Sequence, residues 1–492
     1  MRLKRAVIPT LAIGLTLAFF CDHSHAQESR TSLVRVVVHD ESDLEGLKEV
    51  DARVYARLDE GDELVLLAGV NALRMESLAA RGLDADILDP ETAGRQYYVV
   101  YRFPRLPLSG PAAHGSVLHE DETYIIMRMS PDQAEKLAEA GAEIRAVTTD
   151  PKPIERIKEL GIAPKMPTAP TAVTPDLRIE AMIAQVDSAA VYEYTGDLSG
   201  EWPATIGGSP YTIATRHTYS GEPILKATEY VGEHLEDLGL TVEYHEWGDS
   251  THPNVIGELP GQGSPDSIVI ICAHVDDMPS GPTAPGADDN ASGTTAVLVA
   301  ADIMTKYDWH YTVRFALWTG EEQGLWGSHY YALRCYNLGE PIVGVLNLDM
   351  IAYNTAGSSR DIDLHAKESM PETMDLAQLF ADVVTAYGLD LICQIVPNGT
   401  GASDHASFWD YGYTSILGIE DFGDFNPYYH TTSDLLSNCD MSYYVEFVRA
   451  SLAATAHMAG VMGPAEALPS TTLTASLILA AALAILALRR SV

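Results

Sequence analysis

The chain has 492 residues, 46% of them hydrophobic, and a formal net charge of −38. This length exceeds one ordinary domain, and the apolar content supports a sizeable core, so global disorder is excluded. A strongly acidic protein repels phosphate backbones, which argues against nucleic-acid partners. We interpret the acidity as a solubility feature, with attraction of cationic free amines as the alternative.

The N-terminus has the pattern of a secretory signal peptide, which we place at residues 1–26. Lys4 and Arg5 precede an apolar run over residues 6–20, and a cleavage site of small residues ends at Ala26. An exported protein can form disulfides. The four cysteines after the predicted cleavage site are widely spaced, and their spacing indicates no pairing.

Residues 27–150 contain an internal repeat of two similar units. In each unit an apolar run with β character is followed by a helical stretch that ends at a glycine, Gly82 in the first copy and Gly141 in the second. Duplicated strand–helix–strand units predict a small α+β domain, with a ferredoxin-like arrangement as one candidate. The domain contains no catalytic motif. Two roles stay open for it, a pro-domain or folding assistant and a passive accessory domain.

Prolines between positions 151 and 175 predict a semi-rigid linker over residues 151–179. From residue 180 to 462, strand-like runs alternate with helical ones. Strands are expected at 268–273, 312–318, 342–348 and 414–419, and helices at 291–304, 374–387 and 443–458. This alternation predicts the α/β class, with a helix-flanked, mixed but mostly parallel sheet. Ligands of such sheets bind beyond the carboxyl ends of the strands.

Residues 463–492 hold a second apolar segment. Its apolar run, 473–488, is slightly shorter than the about 20 residues that span a bilayer, and Arg489 and Arg490 behind it fit a cytoplasmic end. This combination resembles bacterial sorting signals that sortase-like enzymes process, and a plain single-pass anchor is the alternative. We therefore expect an exported protein, extracellular, periplasmic or on the cell surface, that this tail holds at a membrane until it is processed.

Residues with acid–base and ligand chemistry follow several of the predicted strands. The strand at 268–273 ends in His274 and, two residues later, Asp276. A metal-bound imidazole usually gives its second N–H to another acceptor, so Asp276 is a candidate partner of His274. Glu321 and Glu322 follow the next strand, where one carboxylate can bind a metal while the other handles protons. Alone, each of these side chains is more often structural.

Asp288 and Asp289 are adjacent in a glycine-bounded loop that opens a predicted helix, where acids serve as hard ligands or as helix N-caps. Asp349 ends another strand, and His430 lies in an aromatic loop. Two zinc ions that share a bridging carboxylate need about five protein ligands, since a catalytic zinc takes about three plus water. The candidate ligands are His274, Asp288, Glu322, Asp349 and His430.

In this order along residues 180–460, the motifs resemble the co-catalytic di-zinc aminopeptidases of the bacterial leucyl aminopeptidase type, clan MH metallopeptidases. The motifs are His-x-Asp, Gly-Ala-Asp-Asp-Asn-Ala-Ser-Gly, Gly-Glu-Glu, Asn-Leu-Asp-Met, Ser-Asp-His and Tyr-His-Thr. The resemblance implies a zinc exopeptidase-like fold and two zinc ions per chain. It also implies an exported enzyme that hydrolyses the N-terminal residue of peptides with a free N-terminus, through a water activated by both metals.

Carried over to this sequence, the resemblance makes Asp288 the carboxylate that bridges the zinc ions and Glu321 the general base. The two zinc sites would be completed by His274 with Asp349 and by Glu322 with His430. The resemblance also implies a cis peptide bond between Asp288 and Asp289. Thr400 departs from the family, because some members carry near this place a tyrosine that is thought to stabilise the oxyanion. That task would fall to zinc alone or to a tyrosine elsewhere.

Three other functions fit the motifs less well. A glutaminyl cyclase-like transferase on the same fold would use one zinc ion, and residues 403–408 fit the peptidase pattern better. A carboxypeptidase needs a basic pocket for the substrate carboxylate, and the sequence has no arginine cluster near the motifs. A non-catalytic receptor on a peptidase fold would not require a complete ligand set together with Glu321.

Overall fold

The computed structural model describes residues 30–60, 63–102, 110–147, 152–153, 173–248 and 250–464. The predicted signal peptide, most of the predicted linker and nearly all of the C-terminal apolar segment lie outside these ranges, so those interpretations stay predictions. Within the described ranges, every helix is too short or too polar to span a bilayer. The four cysteines in this part of the chain are free thiols.

The N-terminal part consists of two units with the same strand order. Its strands are β1 (Thr31–Val38), β2 (Arg53–Glu60), β3 (Glu63–Asn71), β4 (Asp84–Asp89), β5 (Tyr97–Tyr101), β6 (Ser116–Glu120), β7 (Tyr124–Arg128), β8 (Ile144–Ala146) and β9 (Lys152–Pro153). Its helices are α1 (Glu41–Glu49), α2 (Met75–Ala80) and α3 (Pro131–Glu139). The sheets run β4-β1-β3-β2-β9 and β8-β5-β7-β6. The repeated sequence is therefore a repeated structure, with the antiparallel strand order of ferredoxin-like folds.

The first sheet is covered by apolar contacts on both faces, and one of these faces joins the two units. One face of the first sheet packs against α1 and α2 through residues such as Leu47 and Leu78. The opposite face meets the second sheet in a shared core that includes Leu33, Val65 and Val99. Successive strand residues point to opposite faces, so strands covered on both sides need the nearly continuous apolar runs of β1 and β3.

The C-terminal part is built around an eight-stranded sheet. The strands of the whole C-terminal part are β10 (Ala204–Ile206), β11 (Ser209–Tyr211), β12 (Thr241–His245), β13 (Asn254–Leu259), β14 (Ser264–His274), β15 (Tyr307–Trp309), β16 (Tyr311–Trp318), β17 (Ile342–Leu348), β18 (Asp361–His365), β19 (Ile392–Val396), β20 (Ser415–Glu420) and β21 (Val461–Pro464). Its helices are α4 (Leu177–Ile183), α5 (Ser188–Leu198), α6 (Glu222–Asp237), α7 (Ala291–Met304), α8 (Trp326–Leu338), α9 (Pro371–Tyr387), α10 (His405–Trp409) and α11 (Met441–Ala459).

The main sheet runs β12-β13-β16-β14-β17-β20-β18-β19, and strands β10–β11 and β15–β21 form separate pairs. Strands β16, β14, β17 and β20 are parallel, whereas β13 and β18 are antiparallel to neighbours. The predicted mixed, mostly parallel, helix-flanked sheet is confirmed. The pair β15–β21 extends the folded part to Pro464, two residues beyond the predicted end of this domain.

Helix α7 brings the loop before it to the carboxyl ends of the central strands. Its N-cap is Asn290, whose side chain accepts a hydrogen bond from Gly293 N at 2.8 Å and donates one to the Leu348 carbonyl at 2.9 Å. Thr294 Oγ1 donates to the His274 carbonyl at 2.8 Å. The ends of β14 and β17 are thereby joined to the first turn of α7, which places the aspartate loop beside His274.

Candidate metal centre

Six side-chain donor atoms meet in a buried cavity beyond the carboxyl ends of the central strands. His274 Nε2 lies 3.4 Å from Asp289 Oδ1 and 3.2 Å from Asp349 Oδ1. On the other side, His430 Nε2 lies 3.4 Å from Asp289 Oδ2 and 2.8 Å from Glu322 Oε2. Asp289 therefore turns one oxygen toward each histidine and belongs to both groups of ligand-type atoms.

This donor set fits a pair of divalent ions. Each group offers one imidazole and two carboxylates, the three-ligand arrangement that leaves a catalytic zinc an open position. All five side chains are buried. Glu322 Oε1 is buried without a hydrogen-bond partner among the described residues, and a buried charged oxygen of this kind is stable only when it is compensated.

Asp288 does not join either group, and the expectation that it bridges the metals is corrected. Its Oδ1 accepts a hydrogen bond from Ala352 N at 2.8 Å, and its Oδ2 accepts one from Asn426 Nδ2 at 2.9 Å. Both oxygens thus face away from the histidines, and Asp289 takes the expected place. The cis peptide bond likewise joins Asp289 and Asn290, one residue later than expected.

The outer ring nitrogens of both histidines face main-chain carbonyls. His274 Nδ1 lies 3.2 Å from the carbonyl oxygen of Asp276, and His430 Nδ1 lies 2.8 Å from that of Ala138. Because a carbonyl only accepts, each neutral ring carries its proton on Nδ1 and keeps the Nε2 lone pair for a metal. The surroundings therefore favour the tautomer that metal binding at Nε2 requires.

Asp276 contacts both His274 and the loop that carries Glu321 and Glu322. Its Oδ2 accepts hydrogen bonds from Thr218 Oγ1 at 2.7 Å and from Gly320 N at 3.0 Å. The N–H groups of the next two residues face the same carboxylate, both at 3.4 Å. Its Oδ1 lies 3.6 Å from His274 Nδ1, farther than the carbonyl oxygen of the same residue. The predicted support of His274 is thus combined with a second role, fixing the start of the Glu loop.

The Ser-Asp-His motif orients Asp349. Ser403 Oγ donates to Asp349 Oδ2 at 2.6 Å and accepts from Asn347 Nδ2 at 2.8 Å. This chain of hydrogen bonds leaves Oδ1 of Asp349 facing His274. His405 has a different task, because its Nε2 bonds the Thr400 carbonyl at 2.8 Å and holds the neighbouring loop.

Glu321 lines the same cavity without belonging to either ligand group, and it is 4% exposed. Burial raises the pKa of its carboxyl well above the usual value; His274 opposes this shift, and the carboxylates of Asp404 and Glu143 add to it. A carboxyl with a raised pKa exchanges protons closer to neutral pH, which is the property that a general base in this cavity needs.

The cavity concentrates negative charge around its two histidines. Burial lowers the pKa of His274, but the carboxylates of Asp349 and Glu321 outweigh it and raise the value well above the usual one. The pKa of His430 is raised in the same way, against burial, chiefly by Glu322. Metal binding to a protonated histidine releases its proton. Divalent cations would then neutralise the negative charge of the carboxylates in place of the released protons.

Residues 254–455 match the model of peptidase family M28, and this span contains every candidate ligand. This span is similar to peptidase family M28, and we call the C-terminal part that contains it the M28 domain. It is 30% identical to leucine aminopeptidase 1 of Phaeosphaeria nodorum over 264 residues, which cover 49% of this chain and 65% of that protein. It is 31% identical to leucine aminopeptidase 1 of Aspergillus fumigatus over 235 residues, or 44% and 58% of the two chains.

The chain thus spans less than two thirds of the length of these curated relatives. In structure it is similar to the LapA aminopeptidase of Legionella pneumophila, with a TM-score of 0.59. The match covers 74% of this chain and 98% of that one at 18% sequence identity, which shows a shared fold.

A buried arginine fixes the loop that leads to the aspartate pair of the M28 domain. Arg216 is fully buried, and its guanidinium lies 3.3 Å from the carboxylate of Asp277. It also donates hydrogen bonds of 2.7–2.8 Å to the carbonyls of Leu198, Val275, Pro285 and Gly286. Since both ends of the 275–286 loop bond the same side chain, Arg216 closes that loop beside His274.

Two further sets of residues at the centre have no signal in the sequence motifs. Asp434 Oδ2 accepts hydrogen bonds from the N–H groups of Asp288 and Asp289, at 3.1 and 3.0 Å. The second set comes from the N-terminal domain, whose Glu143 lines the cavity and accepts a hydrogen bond from the Tyr429 hydroxyl. These contacts join positions at least 145 residues apart, so local spacing could not reveal them.

Proposed function

We propose that the protein is a zinc-dependent aminopeptidase that removes the N-terminal residue of peptides. The observation that carries the proposal is the position of Asp289, whose two oxygens face two separate groups of one histidine and one further carboxylate. A shared carboxylate between two three-donor groups is the arrangement of a two-metal hydrolytic site. The leucine aminopeptidases among the relatives support the same reaction class.

The proposed ligands divide as the two groups divide. His274 and Asp349 would hold one zinc ion, Glu322 and His430 would hold the second, and Asp289 would bridge both. When bound, the zinc pair supplies an activated water and a Lewis acid for the peptide carbonyl. Burial of the whole set favours this chemistry, because electrostatic interactions are stronger where water is excluded.

Glu321 would move the proton of the reaction. In the proposed sequence its carboxylate accepts a proton from the attacking water and then donates it to the nitrogen of the leaving peptide. Its buried position in the cavity and its raised pKa both suit a group that must take and return one proton per turnover. The remaining negative charge of the cavity suits a substrate that brings a cationic free N-terminus.

Location is proposed from the sequence alone. We infer export through the segment 1–26 and membrane attachment through the segment 463–492 until a sortase-like enzyme processes it. Peptides outside the cytoplasm would then be the substrates.

The test combines metal analysis with a substrate panel. The purified protein is loaded with zinc and assayed on aminoacyl p-nitroanilides, both intact and after cleavage in the 151–179 linker, with and without a chelator. We expect two zinc ions per chain, hydrolysis in at least one of the two forms, and loss of activity with chelator. One zinc ion together with cyclisation of N-terminal glutamine would instead favour the glutaminyl cyclase-like alternative.

A further inference from the structure

The second unit of the N-terminal domain lies directly over the candidate metal centre. The carbonyl of Ala138, in α3, accepts the 2.8 Å hydrogen bond from the ring of His430. Ala146, in β8, donates its N–H to the carbonyl of Gly324, two residues after Glu322, at 3.2 Å. A Cβ at position 324 would lie 2.7 Å from Ala146 N, so this close approach needs the glycine. The segment 131–147 is therefore fitted to the loops that carry the candidate ligands.

Glu143, at the turn between α3 and β8, occupies part of the cavity of the centre. Its side chain lines the cavity together with the candidate ligands and is held there by the Tyr429 hydroxyl. The ring of Tyr429 in turn stacks on His430 with 3.7 Å between ring centroids. The space that remains in the cavity is about 10 Å³. That volume is at the lower limit for one water molecule and excludes a peptide.

Further contacts with the M28 domain hold the segment 131–147 in place. Arg145 forms a buried ion pair with Asp410 of the M28 domain. Glu135 Oε1 lies 3.1 Å from His217 Nε2, which in turn lies 3.4 Å from the side chain of Gln323, the residue after Glu322. Met278 of the M28 domain packs inside the apolar core formed by α3 and its sheet. Apolar, ionic and hydrogen-bonded contacts therefore all contribute to the interface between this segment and the M28 domain.

We propose that the N-terminal domain is a built-in inhibitor of the M28 domain, with Glu143 as the residue that occupies the substrate's place. The proposal rests on the aminopeptidase function proposed above and adds its regulation. Activity then requires that the segment 131–147 be displaced or that the domain be cut away. The linker offers basic residues for such a cut, at Arg156, Lys158 and Lys165. A domain that completed the active site would instead leave room for substrate.

The first test uses the zinc-loaded full chain with a recognition sequence for a specific protease inserted after Lys165. The substrate is leucine p-nitroanilide, assayed before and after cleavage and separation of the fragments. If only a small fraction of intact molecules is open, kcat/KM rises by at least about tenfold on cleavage. An unchanged or lower kcat/KM in a cleaved protein that keeps its zinc would overturn the proposal.

The second test keeps the chain intact and compares two single substitutions. Glu143→Ala removes the side chain that occupies part of the cavity and should raise kcat/KM several-fold, whereas Asp132→Asn is the matched control. Asp132 is an exposed acid in the first turn of α3, the helix that precedes Glu143, and it does not line the cavity, so its change should leave the activity as it is. A lower activity in the Glu143 variant would make Glu143 part of the working site and overturn the inhibitory role.

A third measurement needs no catalysis and separates the two proposals. The rate at which 1,10-phenanthroline removes zinc is followed by absorbance in the intact and cleaved proteins. A covered centre should release zinc at least about tenfold more slowly when intact, because only the open fraction reacts. Faster zinc release after cleavage without any peptide hydrolysis would contradict the proposed aminopeptidase function and support the proposal that the N-terminal domain covers the centre. Equal rates of zinc release, with peptide hydrolysis by both the intact and the cleaved protein, would overturn the inhibitory role of the N-terminal domain and support the aminopeptidase function.

Discussion

At the scale of single residues, the centre depends on two neighbouring aspartates with different tasks. Asp289 divides its oxygens between the two histidines, whereas Asp288 uses both of its oxygens for hydrogen bonds from Ala352 and Asn426. Both are under 5% exposed, so neither is an ordinary solvated acid. The Asp288 carboxylate therefore anchors the loop from behind while Asp289 faces the cavity.

Substitution of each aspartate by alanine should separate these tasks. Asp289→Ala removes a donor from both groups, so we expect loss of zinc and of nearly all activity. Asp288→Ala removes only a support, for which losses of about 10–100-fold in metal affinity are usual. Zinc content measured by atomic emission on both variants is the check. If the Asp288 variant lost its zinc and the Asp289 variant kept it, the assignment of the bridging residue would be wrong.

Glu321→Gln should separate metal binding from proton transfer. Glu321 lines the cavity but belongs to neither group of donors, so the variant should keep its zinc. The amide cannot accept the proton of the attacking water, and kcat should fall by at least about 10²-fold. The assay is best done on the cleaved protein, where access is not limiting. Turnover like that of the unaltered protein would exclude Glu321 from the mechanism.

Of the five side chains that the structure brings together, the sequence predicts four, and it names Asp288 where the structure has Asp289. His274, Glu322 and Asp349 stand out in the sequence because each lies at, or within a few residues after, the end of a strongly apolar strand. No such pattern distinguishes Asp288 from Asp289, since the choice depends on which carboxylate meets Ala352 and Asn426 in the folded chain. Contacts that form only between distant segments were beyond the reach of spacing arguments.

At the scale of elements, the strand ends act as fixed points and the loops after them are tied together by side chains. Asp276 is an example, because its carboxylate accepts a hydrogen bond from Gly320 N and so connects the end of β14 to the loop after β16. It also reaches the approach segment through Thr218. A single carboxylate thus relates three segments that supply or flank the candidate ligands.

Asp276→Asn should weaken the centre without unfolding the domain. The amide keeps the shape but loses the charge and one acceptor for the N–H groups of the Glu loop. We expect zinc affinity or kcat/KM to fall by about 10–100-fold, as for other residues that orient ligands. Asp266→Asn is the matched control, since Asp266 is an exposed acid near the start of β14, the strand that Asp276 follows. Equal effects of the two substitutions, by competition with a zinc indicator, would remove this role from Asp276.

The elements themselves were largely predictable because their periodicity is strong. Helix α7 and strand β17 have the bounds expected from the sequence, 291–304 and 342–348. The repeat in the N-terminal domain was also visible, because the same strand–helix pattern recurs with glycine at each helix end. Its position over the metal centre was not, since the contact from Ala138 to His430 spans 292 residues. Packing between domains depends on surface shape, which a linear pattern does not encode.

At the scale of the whole molecule, the centre places several buried carboxylates close together in a protein that is already strongly acidic. Zinc bound to the folded state alone adds to stability, by about 2.7 kcal/mol per site at a free concentration of 100 times Kd. Removal of zinc with a chelator should therefore lower Tm by several degrees, as measured by calorimetry. A variant without the bridging Asp289 should show little of this difference. Identical Tm values with and without zinc in the unaltered protein would exclude a structural contribution of the metal.

The end of the folded part is set by a strand pair and not by the last helix. Strand β21 pairs with β15, with Trp309 opposite Val461, and Arg178 donates a hydrogen bond to the Met462 carbonyl at 2.8 Å. Trp309 is fully buried, so loss of β21 would expose an apolar side chain and unpair the backbone of β15. Residues up to Pro464 therefore belong to the folded domain, while the predicted anchor follows them.

Two shortened chains should locate this boundary. A chain that ends at Pro464 should keep its Tm, zinc content and activity, because every candidate ligand and both strands of the pair remain. A chain that ends at Gly460 lacks β21 and should have a lower Tm in thermal unfolding.

The full chain should partition into detergent in phase separation, and the chain ending at Pro464 should stay in the aqueous phase, if the apolar run 473–488 is an anchor. Loss of activity in a folded chain that ends at Pro464 would instead make the tail part of the enzyme.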